Sequence, residues 1–457
     1  MTTVSLRGFG KCDVREYTPR NLNLLPLTTD MHRSPRFGTR RMRFTSHPLA
    51  AIALTMLWAP VALTAQNDSY NPTRELAPGV SYTHSVDVRG PWSMHVVRID
   101  LQRADIELRA VRAREQLRGR ERPTEMVRRS TSATEQIVAA VNADFFDIKT
   151  GENENNQILG GEWWKGLKVT DSPFDTFDNA HVQFAMDGAR HPHIDRFILD
   201  GKVWDRGVMT PLITVNARPG GTYEGTTLYT TRFGARTPGS SASPGVPRSS
   251  DPDAARDTTL AIAEAPLLSV GHHGDTLVYL RRGAVSATSG STIPTDGAVL
   301  SAYGPRAKEV HSMREGDTVR VLLATAPRLG RGATPTMLLG GWPRLVRDGV
   351  NVAADAATTE GTISRNAEVR HPRTAIGYSK DGKTLWLFVV DGRSAFSVGM
   401  TLIEMADQLR TLGAWQAMNF DGGGSTTMVI DGKVVNQPTD PTGEREVGNA
   451  LVVVKHR

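Results

Sequence analysis

The sequence predicts an α+β fold in which mixed, mostly antiparallel sheets and a few helices form one elaborated domain. Residues 80–113 alternate apolar and polar side chains, as half-buried antiparallel strands do. Residues 373–390 contain two strand-like runs on either side of "KDGK", which is a hairpin signal. The segment "TLIEMADQLRTLG" predicts a helix, because its apolar residues lie near helical spacing between a capping pair, Thr401 and Glu404, and a terminal Gly413.

The other elements follow in chain order. "PTEMVRRSTSATEQ" predicts a short helix capped by Thr124, and "IVAAVNADFFD" predicts a buried strand. The glycine-rich segment 151–161 predicts a loop. Residues 180–335 alternate strand-like runs with turn signals and are expected to be mostly β. Within them, residues 237–257 are rich in Pro, Ser and Gly, which predicts a mobile surface loop.

The first 65 residues have the pattern of an N-terminal extension with a secretion signal. Basic "RRMR" at 40–43 precedes an apolar stretch at 48–63 and small residues before a predicted cleavage after Ala65. Met42 is a second candidate for the start of translation. An uncleaved anchor is the alternative, although the apolar run is short for a membrane span. We therefore expect a bacterial protein exported to the periplasm or the extracellular space.

Removal of this segment changes the charge balance. The segment holds nine of the 54 basic residues and three of the 48 acidic residues, which leaves 45 of each in the mature chain. A neutral mature chain gives no reason to expect binding to nucleic acid, and no stretch after residue 66 predicts a membrane span. The single cysteine, Cys12, also lies in the predicted signal, so no disulfide is expected. Within the mature chain, residues 66–134 are predicted to supply the N-terminal strands and helix, and residues 135–457 the rest of the domain.

Polar side chains follow three of the predicted strands. They are Asn142 and Asp144 after "IVAAV", Asp391 and Arg393 after "LWLFVV", and Asn419 and Asp421 after "AWQAM". Side chains at strand ends that lead into loops commonly hold ligands, so these groups predict one shared site.

The glycines at 422–424 in "DGGGSTT" would let the backbone approach a ligand closely. Successive N–H groups there could form a nest for an anion, and the hydroxyl groups of residues 425–427 add donors. A plain β-turn is an equally open interpretation of the three glycines. For Glu404 we favour helix capping over catalysis, and for His371 we favour a loop histidine over an acid/base group.

Several familiar sites are excluded by spacing. The segment lacks the lysine and spacing of a P-loop, and Ser425 is not in a G-x-S-x-G elbow. The histidines show no zinc-binding spacing. No cofactor is therefore expected. One metal site is left open, because four acidic residues could collect calcium although they lack the EF-hand pattern: Asp144, Asp147, Glu152 and Glu154.

The predicted groups suit a ligand that is both a sugar and a phosphate. Arginine's planar fork matches phosphate oxygens, while paired carboxylates are what glycosidic cleavage needs. A phosphate leaving group is already stable as an anion, so the anion-binding groups would do much of the catalysis.

The motifs "VNADFFD", "LGGWPRLVRDG", "HPRTAIGYSKDGKTLWLFVVDGRS", "GMTLIEMADQLRTLGAWQAMNFDGGGSTTMVIDGKVVNQP" and "VGNALVVV" resemble the phosphodiester glycosidase family. The resemblance covers about residues 80–455 and is strongest after Leu338. The chain departs from the family at Ala143, where the family often has glycine, and in its long middle segment. The resemblance makes residues 135–457 a phosphodiester glycosidase domain and implies hydrolysis of a sugar-1-phosphodiester between the anomeric carbon and the phosphate oxygen.

Together, the residues and the resemblance define the expected site. The residues expected to be catalytic are Asp391, Asp421, Arg373 and Arg393, with the aspartates as carboxylates and the arginines on phosphate. The residues expected to bind substrate are Asn142, Asp144, Phe145, Asn419, Gly422, Gly423, Gly424, Ser425 and Thr426. The expected partner is a small or polymeric glycan phosphodiester. Two alternatives stay open: a non-catalytic envelope glycan-binding protein, and a metal-dependent phosphodiesterase that cleaves the P–O bond.

Overall fold

The alternation of residues 80–113 becomes three strands in a computed structural model of the chain, and each pairs with its neighbours in antiparallel fashion. The structure describes the following residues: 72–168, 181–217, 225–239, 261–329, 335–360 and 368–457. The predicted secretion signal, residues 1–65, lies outside them. So does the predicted mobile loop from residue 240 onward, whereas Thr237 at its start is buried and donates a hydrogen bond to Glu264 Oε2 at 2.8 Å.

Most of the regular structure is β. The strands in chain order are β1 (Thr73–Ala77), β2 (Val80–Asp87), β3 (Trp92–Asp100), β4 (Ile106–Arg112), β5 (Glu135–Asn142), β6 (Gln157–Leu159), β7 (Glu162–Leu167), β8 (Val182–Met186), β9 (Pro192–Arg196), β10 (Ile198–Asp205), β11 (Val208–Val215), β12 (Thr226–Thr230), β13 (Ile262–His273), β14 (Thr276–Arg281), β15 (Gly297–Tyr303), β16 (Thr318–Ala326), β17 (Met337–Gly340), β18 (Arg344–Arg347), β19 (Val350–Asn351), β20 (Arg373–Tyr378), β21 (Thr384–Val390), β22 (Gln416–Asn419), β23 (Met428–Ile430), β24 (Lys433–Val434) and β25 (Asn449–His456). The α-helices are α1 (Pro123–Ser130), α2 (Ala307–His311), α3 (Ala356–Thr359) and α4 (Leu402–Leu412).

These strands form three sheets. The first has the order β1-β2-β3-β21-β20-β22-β18-β19, and the third has the order β24-β23-β5-β25-β4. In the second sheet β10 pairs with both β16 and β11, which closes seven strands into a barrel in the order β10-β16-β14-β13-β15-β12-β11. The pair β11–β12 is parallel and the other pairs are antiparallel. The predicted α+β class with mixed, mostly antiparallel sheets is confirmed.

The apolar faces of the sheets meet in the interior. The largest apolar cluster joins all three sheets, with Ile99 from the first, Phe184 from the second and Val453 from the third, each less than 1% exposed. A second cluster, which includes Leu212 and Leu300, fills the barrel. The ends of β5, β21 and β22 therefore rest on a packed core, which fixes the polar residues that follow them. Among the described residues no helix is long and apolar enough to cross a membrane.

The hairpin and the capped helix are both confirmed. Strands β20 and β21 pair from Arg373 opposite Val390 to Tyr378 opposite Leu385. In α4 the Thr401 side chain accepts a hydrogen bond from the Glu404 N–H, and the Glu404 carboxylate accepts one from the Thr401 N–H. Gly413 ends the helix with a φ of 102°, a left-handed conformation that glycine adopts readily.

Two local predictions are wrong. Helix α1 begins at Pro123, and Thr124 does not cap it, because the Thr124 hydroxyl and N–H both donate to the Glu444 carboxylate instead. The predicted loop 151–161 contains β6, which pairs with β7 and β17. Strand β6 is only three residues long and contains two apolar residues, Ile158 and Leu159, too few to be recognised among the surrounding polar residues.

Replacing Thr401 by alanine should lower the free energy of unfolding by about 0.5 to 2 kcal/mol, because one N–H group of the first turn of α4 loses its acceptor. Urea denaturation followed by circular dichroism measures this change. Thr401→Ser keeps the hydroxyl group and serves as the control. Equal stability of the alanine variant and the wild type would mean that the capping box contributes nothing here.

Candidate functional site

Asn142 joins the end of β5 to the glycine loop. Its Nδ2 donates to the backbone oxygen of Asp421 at 2.7 Å. Its Oδ1 accepts from Thr374 Oγ1 at 2.8 Å and from the Thr427 N–H at 3.0 Å. Asn142 is 1% exposed, so its amide ties three chain segments together in the interior. The structure thus brings together two of the three predicted strand ends through one side chain.

Asp421 lies half-buried where the glycine loop begins. Its N–H donates to the Ala143 carbonyl oxygen at 2.8 Å. Burial raises the pKa of its carboxyl group to about 6, and the nearby Glu154 carboxylate adds to this rise. A hydrogen bond from Ser425 and the positive charge of Arg445 oppose the rise without cancelling it. Asp421 can therefore exchange a proton near neutral pH, which suits an acid/base group.

The backbone N–H groups of the glycine loop are used within the protein. Gly423, with a φ of 61°, donates its N–H to the Pro372 carbonyl oxygen at 2.8 Å. The N–H of Ser425 donates to the Gly422 oxygen at 3.2 Å, and that of Thr426 donates to the Gly423 oxygen at 3.3 Å. These three N–H groups therefore donate within the protein and are not directed at an anion.

Arg445 is the site residue that the sequence analysis missed. Its Nη1 donates to Ser425 Oγ at 3.1 Å, and its Nε donates to Asp440 Oδ2 at 2.5 Å. Hydrogen bonds from Thr442 and the Arg445 charge lower the pKa of the Asp440 carboxyl group to about 2. The segment "TDPTGEREVG" carries no recognisable motif, so only the three-dimensional contacts show that Arg445 reaches Asp421 through Ser425.

The third glycine of the loop makes room for this arginine. A Cβ atom built on Gly424 would overlap the Nη2 and Cζ atoms of Arg445. Gly424→Ala should therefore displace the Arg445 guanidinium, which costs the fold at most about 1 kcal/mol because the end of this side chain can move, and weaken phosphate binding about tenfold or more. Thermal unfolding and calorimetric titration with inorganic phosphate measure the two effects. Gly188→Ala is the control, since a Cβ atom there meets nothing within 4 Å; equal behaviour of the two variants would contradict the argument.

Arg393 lies exposed beside the same loop. Its backbone is left-handed, with a φ of 59°. Its Nη1 contacts Thr439 Oγ1 at 3.3 Å, and its Nη2 is 3.4 Å from His371 Nδ1. Thr439 in turn donates to the Gly423 carbonyl oxygen at 3.4 Å. Burial, together with Arg373 and Arg393, lowers the pKa of His371, so that a neutral ring lies beside the exposed guanidinium.

Arg373 is buried beneath this surface. Its Nε donates to the Met400 oxygen at 3.1 Å and its Nη2 to the Val369 oxygen at 2.7 Å. Burial lowers its pKa to about 10, and Arg393 contributes to this shift, but the group stays charged at neutral pH. These bonds tie β20 to neighbouring segments. The predicted contact of Arg373 with phosphate stays a prediction.

Asp391 lies in a separate group of polar residues. Its Oδ2 accepts from Ser93 Oγ at 2.9 Å and contacts His95 Nε2 at 3.1 Å, while its Oδ1 accepts from the Gln437 N–H at 2.7 Å. The residue is 5% exposed. Burial acts to raise the pKa of its carboxyl group, but the hydrogen bonds from His95, Gln437 and Ser93 outweigh it and lower the pKa overall.

Asp144 is buried just after the end of β5. Its Oδ1 accepts from Asn155 Nδ2 at 2.7 Å, and its N–H donates to Asn449 Oδ1 at 3.0 Å. Burial raises the pKa of this carboxyl group to about 7, and the Glu154 charge adds to the effect. Phe145 is half-buried against an apolar cluster. Asp144 is 2% exposed, so direct contact with a large substrate would require a local movement.

Asn419 and Thr426 are also buried. Asn419 Nδ2 donates to the Trp342 oxygen at 2.6 Å, and the Thr426 oxygen accepts from Asn436 Nδ2 at 3.1 Å. Within the described residues, Asn419 Oδ1 and Thr426 Oγ1 have no hydrogen-bond partner. The contacts that the structure gives to these two residues are with the protein interior, and their predicted role in substrate binding stays untested.

The four acidic residues considered for calcium do not gather at one point. Asp147 accepts hydrogen bonds from the N–H groups of residues 149 and 150. Glu152 pairs with Lys165 at 3.0 Å and Arg118 at 2.9 Å, and these two charges overcome the effect of burial and lower its pKa to about 2. Within the described part of the chain, three potential metal ligands lie close together only at Glu107, Glu135 and His456. Arg109 already pairs with both glutamates there.

Parts of the chain are similar to known proteins. Residues 275–454 match a family model described as phosphodiester glycosidase. The Mus musculus N-acetylglucosamine-1-phosphodiester alpha-N-acetylglucosaminidase is 30% identical over 156 residues, which cover 32% of this chain and 30% of that protein. The chain spans less than a third of the length of the curated relatives it matches.

Two solved structures share the fold. A hypothetical protein from Synechocystis has a TM-score of 0.64 and 20% identity, and the match covers 84% of this chain and 64% of that one. A Burkholderia pseudomallei K96243 protein, named as a candidate exported protein, has a TM-score of 0.57 and 22% identity, and the match covers 80% of this chain and 74% of that one. At these identities the likeness describes the fold alone.

Proposed function

Because residues 275–454 belong to the phosphodiester glycosidase family, we propose that this protein is an exported hydrolase that cleaves a sugar-1-phosphodiester. Its substrate would be a glycan phosphodiester of the cell envelope or the extracellular space. The bond broken would join the anomeric carbon to the phosphate oxygen. The relative from mouse is named for this kind of substrate, an N-acetylglucosamine-1-phosphodiester.

One observation carries the proposal. Asp421, with its raised pKa, lies beside Ser425 and Arg445, and the exposed Arg393 lies against Gly423 of the same loop. A carboxylate that titrates near pH 6 can accept a proton from water at neutral pH. Two guanidinium groups around the same loop suit a phosphodiester, because each can donate two hydrogen bonds to its oxygens.

The proposed reaction forms one bond, breaks one bond and transfers one proton. Water attacks the anomeric carbon, and Asp421 accepts the proton that this water loses. The bond between the anomeric carbon and the phosphate oxygen breaks, and the phosphomonoester leaves with both electrons of that bond. Arg393 and Arg445 hold the phosphate group in the substrate as well as in the departing phosphomonoester, and the leaving oxygen is stable as an anion and needs no proton. Asp391, with both oxygens already accepting hydrogen bonds, has a supporting role.

Hydrolysis of GlcNAc-α-phosphomethyl by the full chain in ¹⁸O water tests this proposal. Mass spectrometry of the methyl phosphate is the decisive measurement, since its oxygens do not exchange with water under these conditions. Unlabelled methyl phosphate together with labelled sugar supports cleavage of the C–O bond. Free GlcNAc kept in the same water controls for exchange at the anomeric oxygen.

The other outcomes separate the alternatives. Labelled methyl phosphate, with activity that a chelator removes, would indicate a metal-dependent phosphodiesterase. Binding of several sugar-1-phosphodiesters without turnover would indicate a non-catalytic glycan-binding protein. Either result would overturn the proposed cleavage of the bond between the anomeric carbon and the phosphate oxygen.

A further inference from the structure

A row of polar side chains, half-buried at Tyr82 and buried at His95, crosses the first sheet and ends at the buried Asp391. Tyr82 on β2, His95 on β3 and Asp391 after β21 lie on neighbouring strands. The Tyr82 hydroxyl is 2.8 Å from His95 Nδ1, and His95 Nε2 is 3.1 Å from Asp391 Oδ2. His95 is 2% exposed, and the ring of His84 stacks on it with 4.4 Å between the ring centres.

The direction of one of these hydrogen bonds follows from the groups themselves. The pKa of Asp391 is lowered, so its carboxylate accepts and His95 Nε2 carries the hydrogen between them. Burial raises the pKa of Tyr82 to about 12, so its hydroxyl group keeps its proton and can either donate to His95 Nδ1 or accept from it. Ser93 donates a second hydrogen bond to the same oxygen. One oxygen of Asp391 is therefore fully used on the side of the sheet.

The other oxygen of Asp391 holds the segment that carries Arg445. It accepts the Gln437 N–H at 2.7 Å. Two residues later Thr439 contacts Gly423 and Arg393, and Asp440 holds the Arg445 side chain against Ser425. Gln437 is thus the point at which the segment 437–445 is attached to the first sheet.

We propose that Tyr82, His95 and Asp391 form a positioning relay that fixes the segment 437–445 over the glycine loop. Asp391 acts through the Gln437 N–H and does not contact the substrate. The arrangement explains why Asp391 is 5% exposed and saturated with donors, although it follows β21 directly at the edge of the site. It also gives a function to His95, which the proposed reaction does not use.

Hydrogen exchange of the full chain tests the relay without relying on the proposed function. His95→Phe removes the Nε2 donor, so amide hydrogens of residues 434–440 should exchange about tenfold to a hundredfold faster. His95→Gln can keep an N–H directed at Asp391 and should restore part of the protection. Tyr82→Phe should have the same effect as His95→Phe but a smaller one. NMR of ¹⁵N-histidine-labelled protein should show one ring that carries a hydrogen-bonded proton on Nε2, and this signal should disappear in His95→Phe.

Kinetics add a second test, which rests on the proposed hydrolase function. Asp391→Asn and His95→Phe should raise KM for GlcNAc-α-phosphomethyl about tenfold to a hundredfold, with a smaller change in kcat, because the displaced segment carries Arg445. His193→Phe removes a histidine–aspartate contact of 3.4 Å in the second sheet and serves as the matched control. It should leave exchange at 434–440 and both kinetic constants unchanged.

Three results would overturn the relay. The first is a folded His95→Phe protein in which residues 434–440 keep their protection. The second is a His95 ring that is protonated on Nδ1 and accepts at Nε2. The third is an Asp391→Asn protein that loses kcat with KM unchanged, which would make Asp391 a catalytic residue. Lack of turnover in the wild type would overturn the hydrolase proposal alone, since the exchange experiment still reads the relay.

Discussion

Replacing Asp421 by asparagine should lower kcat for a sugar-1-phosphodiester by about 10²- to 10⁴-fold, because the amide cannot accept a proton from water. KM should change little, since the backbone contacts of Asp421 with Ala143 and Asn142 do not involve the carboxyl group. In the wild type, kcat/KM should fall as the pH drops below about 6, where Asp421 becomes protonated. Steady-state kinetics between pH 4.5 and 8 measure both effects. A variant with wild-type kcat would contradict the assigned role.

Asp421→Asn should lower activity but raise the stability of the folded protein at neutral pH. The pKa of Asp421 is higher in the folded state than in the unfolded state, so the folded protein binds the proton more tightly. The stability that protonated Asp421 contributes is fully present below the unfolded pKa and is lost as the pH rises towards about 6. The asparagine side chain carries no charge to bury, so Asp421→Asn should be more stable than the wild type at pH 7.5, by about 1 to 3 kcal/mol. Denaturation at pH 4.5 and 7.5 measures the difference, which should be smaller at the lower pH.

Replacing Arg445 by methionine should raise KM for a sugar-1-phosphodiester about tenfold to a hundredfold and weaken inhibition by inorganic phosphate to a similar degree. The substitution removes the charge that faces Asp421, the donor to Ser425 and the partner of Asp440. Arg445→Lys should recover little, because one ammonium group cannot replace a planar fork that bridges two side chains. Kinetics and calorimetric titration with phosphate measure these changes.

A matched control comes from the surface of α4. Arg410→Met removes an exposed ion pair with Asp407 at 3.3 Å, and exposed pairs contribute at most about 1 kcal/mol. It should leave KM and phosphate inhibition unchanged. Full recovery by lysine at position 445, or an Arg445→Met enzyme with wild-type KM, would remove Arg445 from phosphate recognition.

Local signals in the sequence were sufficient for several elements. The capping box, the helical spacing and the glycine stop of α4 are all read within thirteen residues, and each depends on neighbours in the chain. The hairpin of β20 and β21 is similarly local. The meeting of Asn142 with Asp421 was predicted because polar residues after buried strands have few places to go other than the sheet edge.

Contacts between distant segments account for what was missed. His95 occupies one position in an alternating strand, and only the pairing of β3 with β21 places it against Asp391. Arg445 is 24 residues from Asp421 in a segment without regular structure. The direction of the N–H groups in the glycine loop depends on individual φ and ψ angles, which composition does not determine. The three glycines in the sequence therefore do not determine whether their N–H groups form an anion-binding nest.

The overlap between Gly424 and Arg445 makes the two positions a single unit for mutation. An alanine at 424 costs most while the guanidinium occupies the space, and much of that cost disappears once a smaller side chain stands at 445. The two substitutions should thus be far from additive, and the double variant should be little worse than Arg445→Met. A related chain with a smaller residue than arginine at position 445 would tolerate a side chain at position 424. The third glycine of "GGG" is therefore required by an arginine that follows 21 residues later.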